Sequence, residues 1–450
     1  MDYQQFLQEI DSCKEEIFSI SDSIWDLAEL QFEETRSAEL LCSHLEAHGF
    51  TVERGVGGME TAFAASYGTS GPAIGILAEY DALSGLSQKA NSVAPEAVPG
   101  MTSGHGCGHN LFAAGSFAAA LAVKKGIDLS GKGKVTLFGC PAEEGGGGKV
   151  KMAQKGVFSQ TEAVVSWHPE SMHMVRTRPA LANIDCLYSF HGISAHAGAS
   201  PHLGRSALDA LELMNIGIQF LREHMEPTSR INTSITNAGS AAPNVIPDFA
   251  QGRLLIRAET PDQVRDLAGR IDRIAQGAAL MTDTTVEYKF LKGYNSLVTI
   301  PALQQAAYES MLQIPVPQPT AEDIAFGEAL RATMPLSDEQ RKKPLYPTEV
   351  IPPAPPKPHG GSTDTADVSW VCPTVQVHGG SWVIGTPGHS WQVVSQGKSR
   401  FSRESMLYTA KVLALTAVRL INDPELLEQA KAEHRERTAG GYQPMTPPRD

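Results

Sequence analysis

The sequence predicts an α/β protein, a mostly parallel sheet interrupted by an inserted ferredoxin-like β-α-β-β-α-β domain. Three observations predict it. Apolar runs of strand length, bounded by Gly or Pro, alternate with helix-length segments in the first part of the chain, the pattern of a buried parallel sheet. From about 184 the order changes to strand, helix, strand, strand, helix, strand. At 450 residues and 42% hydrophobic composition, the chain also exceeds one core, since single cores rarely grow beyond about 250 to 300 residues.

Taken in order, residues 5 to 30 carry helical periodicity through Phe6, Ile10, Ile17, Ile24 and Leu27, and Thr35 reads as the N-cap of a second helix stopped by Gly49. Strands follow at 73 to 78, 135 to 139 and 163 to 167, with helices between them at 110 to 124 and 149 to 157. The insertion places strands at 184 to 190, 231 to 237, 252 to 258 and 284 to 291, and helices at 205 to 224 and 262 to 280. A stretch with seven prolines spans 344 to 358, before strands at 374 to 378 and 382 to 384 and a closing helix at 403 to 422. The expected division is 1 to 183, an inserted 184 to 293, and a return of the first domain at 294 to 450.

Composition excludes several classes. Lys plus Arg is 37 against 50 Asp plus Glu, a formal charge of −13, and no basic run offers a footprint for nucleic acid. No run of about 18 apolar residues suggests a membrane span, and the N-terminus lacks a basic segment followed by an apolar one. The expectation is a soluble, cytoplasmic protein. Cysteines 13, 42, 107, 140, 186 and 372 show no framework spacing, so reduced thiols are expected.

In open α/β sheets, ligands gather beyond the carboxyl ends of the strands. Three expected strands run straight into metal-type side chains: AIGILAEYD delivers Glu79 and Asp81, KVTLFGCPAEE delivers Glu143 and Glu144, and AVVSWHPE delivers His168 and Glu170. Between the first two lies His105-Gly-Cys107-Gly-His109, three potential ligands separated by glycines and followed by a helix start. The bland reading is a buried thiol beside two ordinary histidines, and two further strand-end clusters weigh against it. The adjacent Glu143 and Glu144 would repel if buried without cations. A metal resolves this, with Glu144 coordinating and Glu143 acting as general base toward water and then toward a leaving amine. The run Gly145 to Gly148 with Lys149 only weakly matches a phosphate-binding loop, because Val150 stands where Ser or Thr is required and two acids precede it. By its surroundings alone, His389 in TPGHSW reads as polar surface.

The ordered set AEYDAL, GHGCGHNL, PAEEGGGG, WHP, SAHAGASP, NVIPD and TPGHS resembles the co-catalytic metallopeptidase and aminoacylase family. Its Cys-Gly-His motif is similar to the amidohydrolase branch, which includes hippurate and indole-acetyl-amino-acid hydrolases, and GGSTDTADVSW is most like the p-aminobenzoyl-glutamate hydrolase subgroup. The resemblance implies that Cys107, His109, Glu144, His168 and His389 hold two divalent ions, Zn or Mn, with Glu143 as catalytic base. It implies that Asp81 orients a ligand from behind, that His196 reaches a neighbouring active site to stabilise a tetrahedral oxyanion, and that Asn244 lies near the substrate carboxylate. His105 matches no ligand. It further implies a homodimer formed through the inserted domain. The chain departs from the branch at Ser84, where proline is usual, and at Asn110, where aspartate is usual.

The activity this implies is hydrolysis of an N-acyl or N-aroyl amino acid, with glutamate or aspartate on the amine side. A dipeptidase with the same machinery and a non-catalytic binding protein of the same fold are the alternatives. The sequence does not choose which of Arg178, Arg205, Arg253 and Arg257 meets a substrate carboxylate.

Overall fold

A computed structural model describes residues 3–355 and 361–445. The chain divides into two compact units, one formed by Met1–Arg178, Val298–Pro356 and Val368–Tyr442, the other by Pro179–Leu297, Lys357–Asp367 and Gln443–Asp450. The last prolines of the 344 to 358 stretch lie outside the described residues.

The first unit opens with helices α1 (Tyr3–Ser12), α2 (Lys14–Leu27) and α3 (Thr35–Ala47). The single helix expected over 5 to 30 is thus two helices, broken at Cys13. At Cys13 the backbone opens to φ −100° and ψ 13°, while the Ser12 hydroxyl donates to the Gln8 carbonyl at 2.9 Å. Thr35 is the first helical residue rather than the cap.

Strands β1 (Thr51–Arg54), β2 (Phe63–Ser70) and β3 (Ala73–Ala78) come next, then the two-residue ribbon β4 (Leu83–Ser84) and β5 (Ser103–Gly104). Helix α4 (His109–Ser130), strand β6 (Gly133–Gly139), helix α5 (Gly148–Gln154) and strands β7 (Ala163–Glu170) and β8 (His173–Val175) follow. Among the described residues the large sheet has eight strands, and β3 pairs in parallel with both β6 and β7. Strands β1 and β2 form an antiparallel edge against β6 that the sequence reading missed. These strands are short or part-exposed, so they lack the continuous apolar run that marks the centre. Helix α4 is buried from His109 to Val123 against the sheet, α1 and α2. Its alanines and Gly115 permit this, since a Cβ on Gly115 would meet the Trp167 ring at 2.7 Å.

The second unit carries β9 (Ala182–His191), α6 (Ala207–Arg222), β10 (Arg230–Asn237), β11 (Phe249–Ala258), α7 (Pro261–Thr282) and β12 (Thr285–Tyr294). This is the expected β-α-β-β-α-β order. The sheet is antiparallel throughout, in the order β10-β11-β9-β12. Ile184, Cys186, Tyr188 and Phe190 alternate inward from β9 onto Leu211, Met214 and Ile218 of α6 and Leu267 and Ile271 of α7. Helix α7 begins with Pro261 behind a capping box, in which the side chains of Thr260 and Gln263 each take the other's backbone N–H. Strand β10 is an edge, and every residue in it except Ile231 is exposed.

Back in the first unit come α8 (Pro301–Gln313), α9 (Ala321–Ala332), α10 (Asp338–Arg341) and strand β13 (Val350–Ile351). Helix α11 (Thr365–Val371) precedes β14 (Thr374–Gly380), and α12 (Trp391–Gln396), α13 (Arg400–Asn422) and α14 (Pro424–Arg437) end the described chain. Strand β14 lies parallel to β7 and completes the centre of the sheet, and α13 covers α4. The strand expected at 382 to 384 is irregular instead. Its backbone N–H groups donate to the Gln396 side chain from Val383 and to the Leu345 carbonyl from Ile384, both at 2.9 Å, rather than to a neighbouring strand. No helix among the described residues is long and apolar enough to cross a membrane.

Candidate metal centre

Strand β3 ends at Ala78 and hands Glu79 and Asp81 to the carboxyl edge of the sheet, where both are buried. Strand β7 contributes His168 from its own last turn, and the loop after β6 contributes Glu143 and Glu144. Cys107 and His109 stand at the start of α4. The chain can turn into that helix only because residue 108 is glycine: its φ is +74°, and a Cβ there would lie 2.5 Å from the Trp382 ring.

These groups converge. Donor atoms of Cys107, His109 and His168 lie within 4.8 Å of one another, as do those of Cys107, Glu144 and His389, and those of Glu79, His109 and Glu143. Cys107 Sγ is 3.3 Å from His168 Nε2, and His389 Nε2 is 3.4 Å from Glu144 Oε2. His389 arrives from a loop, with φ of +53° and its N–H on the Gly106 carbonyl at 3.1 Å. The structure therefore brings together Cys107, His109, Glu143, Glu144, His168 and His389.

Both inner imidazoles are oriented from behind. His109 Nδ1 lies 2.9 Å from Asp81 Oδ1, and Asp81 Oδ2 accepts from the Glu144 N–H at 2.9 Å. His168 Nδ1 donates to the Pro169 carbonyl at 2.7 Å. With Nδ1 so occupied, each ring turns its Nε2 lone pair toward Cys107 and the carboxylates, the arrangement metal-ligating histidines use. His109 Nε2, fully buried, faces the Cys107 thiol and the Glu79 carboxylate. His105 does the opposite: its Nε2 sits on the Ile24 carbonyl at 2.9 Å, so it ties α4 to α2.

The electrostatics ask for cations. Burial, with Glu144 adding to it, pushes the Cys107 thiol well up. Burial also pushes Glu144 up to about 8, opposed by His109 and reinforced by Glu143 and Asp81. Burial alone would raise Asp81, but the His109 imidazole holds it below its ordinary value, while burial lowers His168 to about 3 and keeps it neutral. Burial would lower His109, but the Asp81 carboxylate beside it holds the imidazole well above its ordinary value. A thiol, two carboxylates, a neutral His168 and a proton-holding His109 sharing one pocket suit divalent ions, which supply positive charge in place of protons and bind each donor in its unprotonated form. The donor set fits.

Four further residues shape this centre. Glu79 places Oε2 3.2 Å from His109 Nε2 and Oε1 2.7 Å from Lys149 Nζ, all buried. Lys149 therefore faces a carboxylate, and the phosphate-loop alternative loses its lysine. Glu34 accepts from the Ala142 N–H at 2.8 Å and holds the left-handed turn at Ala142 that precedes the glutamate pair. Burial, with Asp81 adding to it, raises Glu34 to about 7. Arg176, half-buried, donates to Gln376 at 2.7 Å, and the charges of Glu143, Glu170 and Glu79 oppose its desolvation. Glu79 is visible in the sequence as a strand-end acid, whereas Glu34 and Arg176 carry no local signal and were missed.

His196 and Asn244 belong to the second unit. His196 Nδ1 accepts from the N–H groups of Gly198 and Ala199 at 3.1 Å, so a neutral ring carries its proton on Nε2. The Asn244 carbonyl accepts from the Ala197 N–H at 2.9 Å, placing the two residues on adjoining strands of one loop cluster. Among the arginines, Arg205 pairs with Asp283 at 2.7 Å and Arg253 forks onto Asp185 through two N–H donors.

Known proteins place this centre in a family. The chain is 42% identical to a subunit of the p-aminobenzoyl-glutamate hydrolase of Escherichia coli K12, over 95% of this chain and 94% of that protein. It is 29% identical to the Xaa-Arg dipeptidase of Mus musculus, over 95% and 91%. A solved dinuclear metal-binding peptidase of the M20 family from Bacillus subtilis shares the fold, with a TM-score of 0.60 and 19% identity over 92% of this chain and 99% of that one. The sequence profile of Peptidase family M20/M25/M40 matches residues 75–338, and the chain belongs to that family.

Proposed function

We propose that the protein hydrolyses the amide bond of an N-acyl or N-aroyl amino acid carrying glutamate or aspartate on the amine side, with two divalent ions, Zn or Mn, at the centre. The observation that carries this is the convergence of Cys107, His109, Glu144, His168 and His389 around Glu143, with both inner imidazoles oriented from behind. The 42% identity to part of a p-aminobenzoyl-glutamate hydrolase supports the acyl-glutamate class.

When bound, the ions supply Lewis acidity at the carbonyl and lower the pKa of water toward neutrality. The protein does the rest. Cys107, Glu144 and His389 would hold one ion, and Cys107, His109 and His168 the other. Glu143 takes the proton of the attacking water and passes it to the departing amine nitrogen, a transfer worth typically 10²–10⁴-fold. Asp81 fixes the His109 tautomer, and Lys149 sets a positive charge against Glu79 beside it. His196, with its proton on Nε2, serves as a donor to the tetrahedral oxyanion at a neighbouring subunit's centre, and Asn244 binds near the substrate carboxylate.

The second unit is proposed as a homodimerisation module. Its edge strand β10 exposes Ile235, and α6 exposes Ile216 and Phe220. The cysteines, none in a disulfide, support a reducing compartment, the cytoplasm.

The relative that is a dipeptidase favours a second reading, cleavage of dipeptides by the same machinery. A panel of N-acyl-glutamates, N-acyl-aspartates and dipeptides, assayed for amine release with added Zn or Mn, separates the two. Acyl-glutamates should lead in kcat/KM. Turnover of dipeptides alone would reassign the substrate class, and turnover of neither would remove the proposal.

A further inference from the structure

We propose that Cys13, Glu16 and His48 form a separate cation site in the first unit, taking a zinc-class divalent ion and independent of the catalytic reading. Cys13 and Glu16 lie three residues apart at the start of α2, and His44 and His48 lie four apart at the end of α3, so each helix presents its pair on one face. The donor atoms of Cys13, Glu16 and His48 all lie within 4.8 Å of one another. His48 Nε2 is 3.2 Å and 3.0 Å from the two Glu16 oxygens, and His44 Nδ1 is 2.6 Å from Oε1.

A carboxylate stapling two imidazoles accounts for Glu16, His44 and His48, and Cys13, partly packed against the core, adds a sulfur to the same cluster. Cys13 occupies the N-cap position of α2 yet makes no side-chain capping hydrogen bond, and its sulfur faces the same carboxylate and ring. Thiolate, imidazole and carboxylate are the ligand types zinc selects, with bonds of about 2.0 to 2.3 Å that draw donors to within roughly 4 Å of each other. The side chains of Glu16 and His48 are each 27% exposed, which gives an ion an entry path and leaves room for water as a further ligand. His44, already on Glu16, then acts as the partner that orients a ligand from behind. Both imidazole rings stand edge-on to Phe117 of α4, at 6.1 and 5.8 Å, so an ion here would bind α2 and α3 together over α4.

The test uses the full chain, stripped with a chelator and titrated with Zn²⁺ alone. The Cys13→Ser/His48→Gln variant keeps a hydrogen-bonding group on Glu16 and touches nothing at the catalytic centre. Wild type should bind one zinc per chain more than the variant at saturation, whatever the catalytic centre holds, while the two hydrolyse substrate alike. In wild type, zinc should also slow alkylation of Cys13, followed on its own peptide by mass spectrometry, by about tenfold or more. Equal zinc stoichiometry in both proteins, or Cys13 alkylated at one rate with and without zinc, would overturn the proposal. The alkylation measurement decides even if the variant fails to fold.

Discussion

Asp81 touches no substrate in the proposed mechanism, yet it grips His109 Nδ1 and the Glu144 N–H with its two oxygens, setting the tautomer of His109 and the position of Glu144. Replacing it with asparagine keeps the shape and removes the charge. Metal affinity should fall by about 10–100-fold, measured by competition with a chromophoric chelator, with the fold intact by circular dichroism. Unchanged affinity would mean that Asp81 only fills space. This is also the scale at which sequence was most informative. Cys107, His109, Glu143, Glu144 and His168 were legible because each follows an apolar strand or a glycine-spaced turn, so local pattern alone puts them on one edge. His389 was not, because its direction is set by a positive φ and a bond to Gly106 almost three hundred positions away in the chain. Glu34 was missed for a related reason: it reads as the residue before a helix, and its carboxylate is claimed by Ala142 across the fold.

The elements carry their own tests. Gly108 starts α4 in a left-handed conformation against Trp382, so Gly108→Ala combines backbone strain with a clash. It should cost about 1–3 kcal/mol in chemical denaturation and lower metal content together with stability, since the two ligands beside it would shift. On β8, His173 accepts the Gly380 N–H at 3.0 Å under the Tyr408 ring, and burial lowers its pKa to about 3. The unfolded chain binds a proton there below the ordinary value of 6.5, while the folded chain does not. Stability from this group is therefore intact above 6.5 and is lost as pH falls toward 3. From pH 6 to 5, wild type should lose about 1 kcal/mol more unfolding free energy than His173→Gln; equal losses would show that His173 titrates normally. Long central strands and the amphipathic helices of the second unit were legible from period and length. Strands β1, β2 and β8 and the break at Cys13 were not, since short or part-exposed strands lack a pattern and the apolar period runs straight through the break.

At the scale of the whole molecule, an antiparallel four-stranded sheet with two helices interrupts a parallel sheet, and the inserted unit leaves Ile216, Phe220 and Ile235 in solvent. If those residues meet a second copy, Phe220→Glu with Ile235→Asp should convert a dimer to a monomer in sedimentation velocity. A wild type that is already monomeric, or a variant that sediments as wild type does, would contradict the proposed role. The insertion was legible because its element order repeats no other part of the chain, whereas its surface role comes from the resemblance and the exposed side chains together. The central claim is that bound divalent ions and Glu143 act jointly at the Cys107 centre. Its most direct measurement is metal content and amine release in wild type and Glu143→Gln, side by side. Stoichiometric metal in both proteins with activity lower by about 10²–10⁴-fold in the variant is the predicted result. A wild type without bound metal, or a variant that hydrolyses at the wild-type rate, would contradict it.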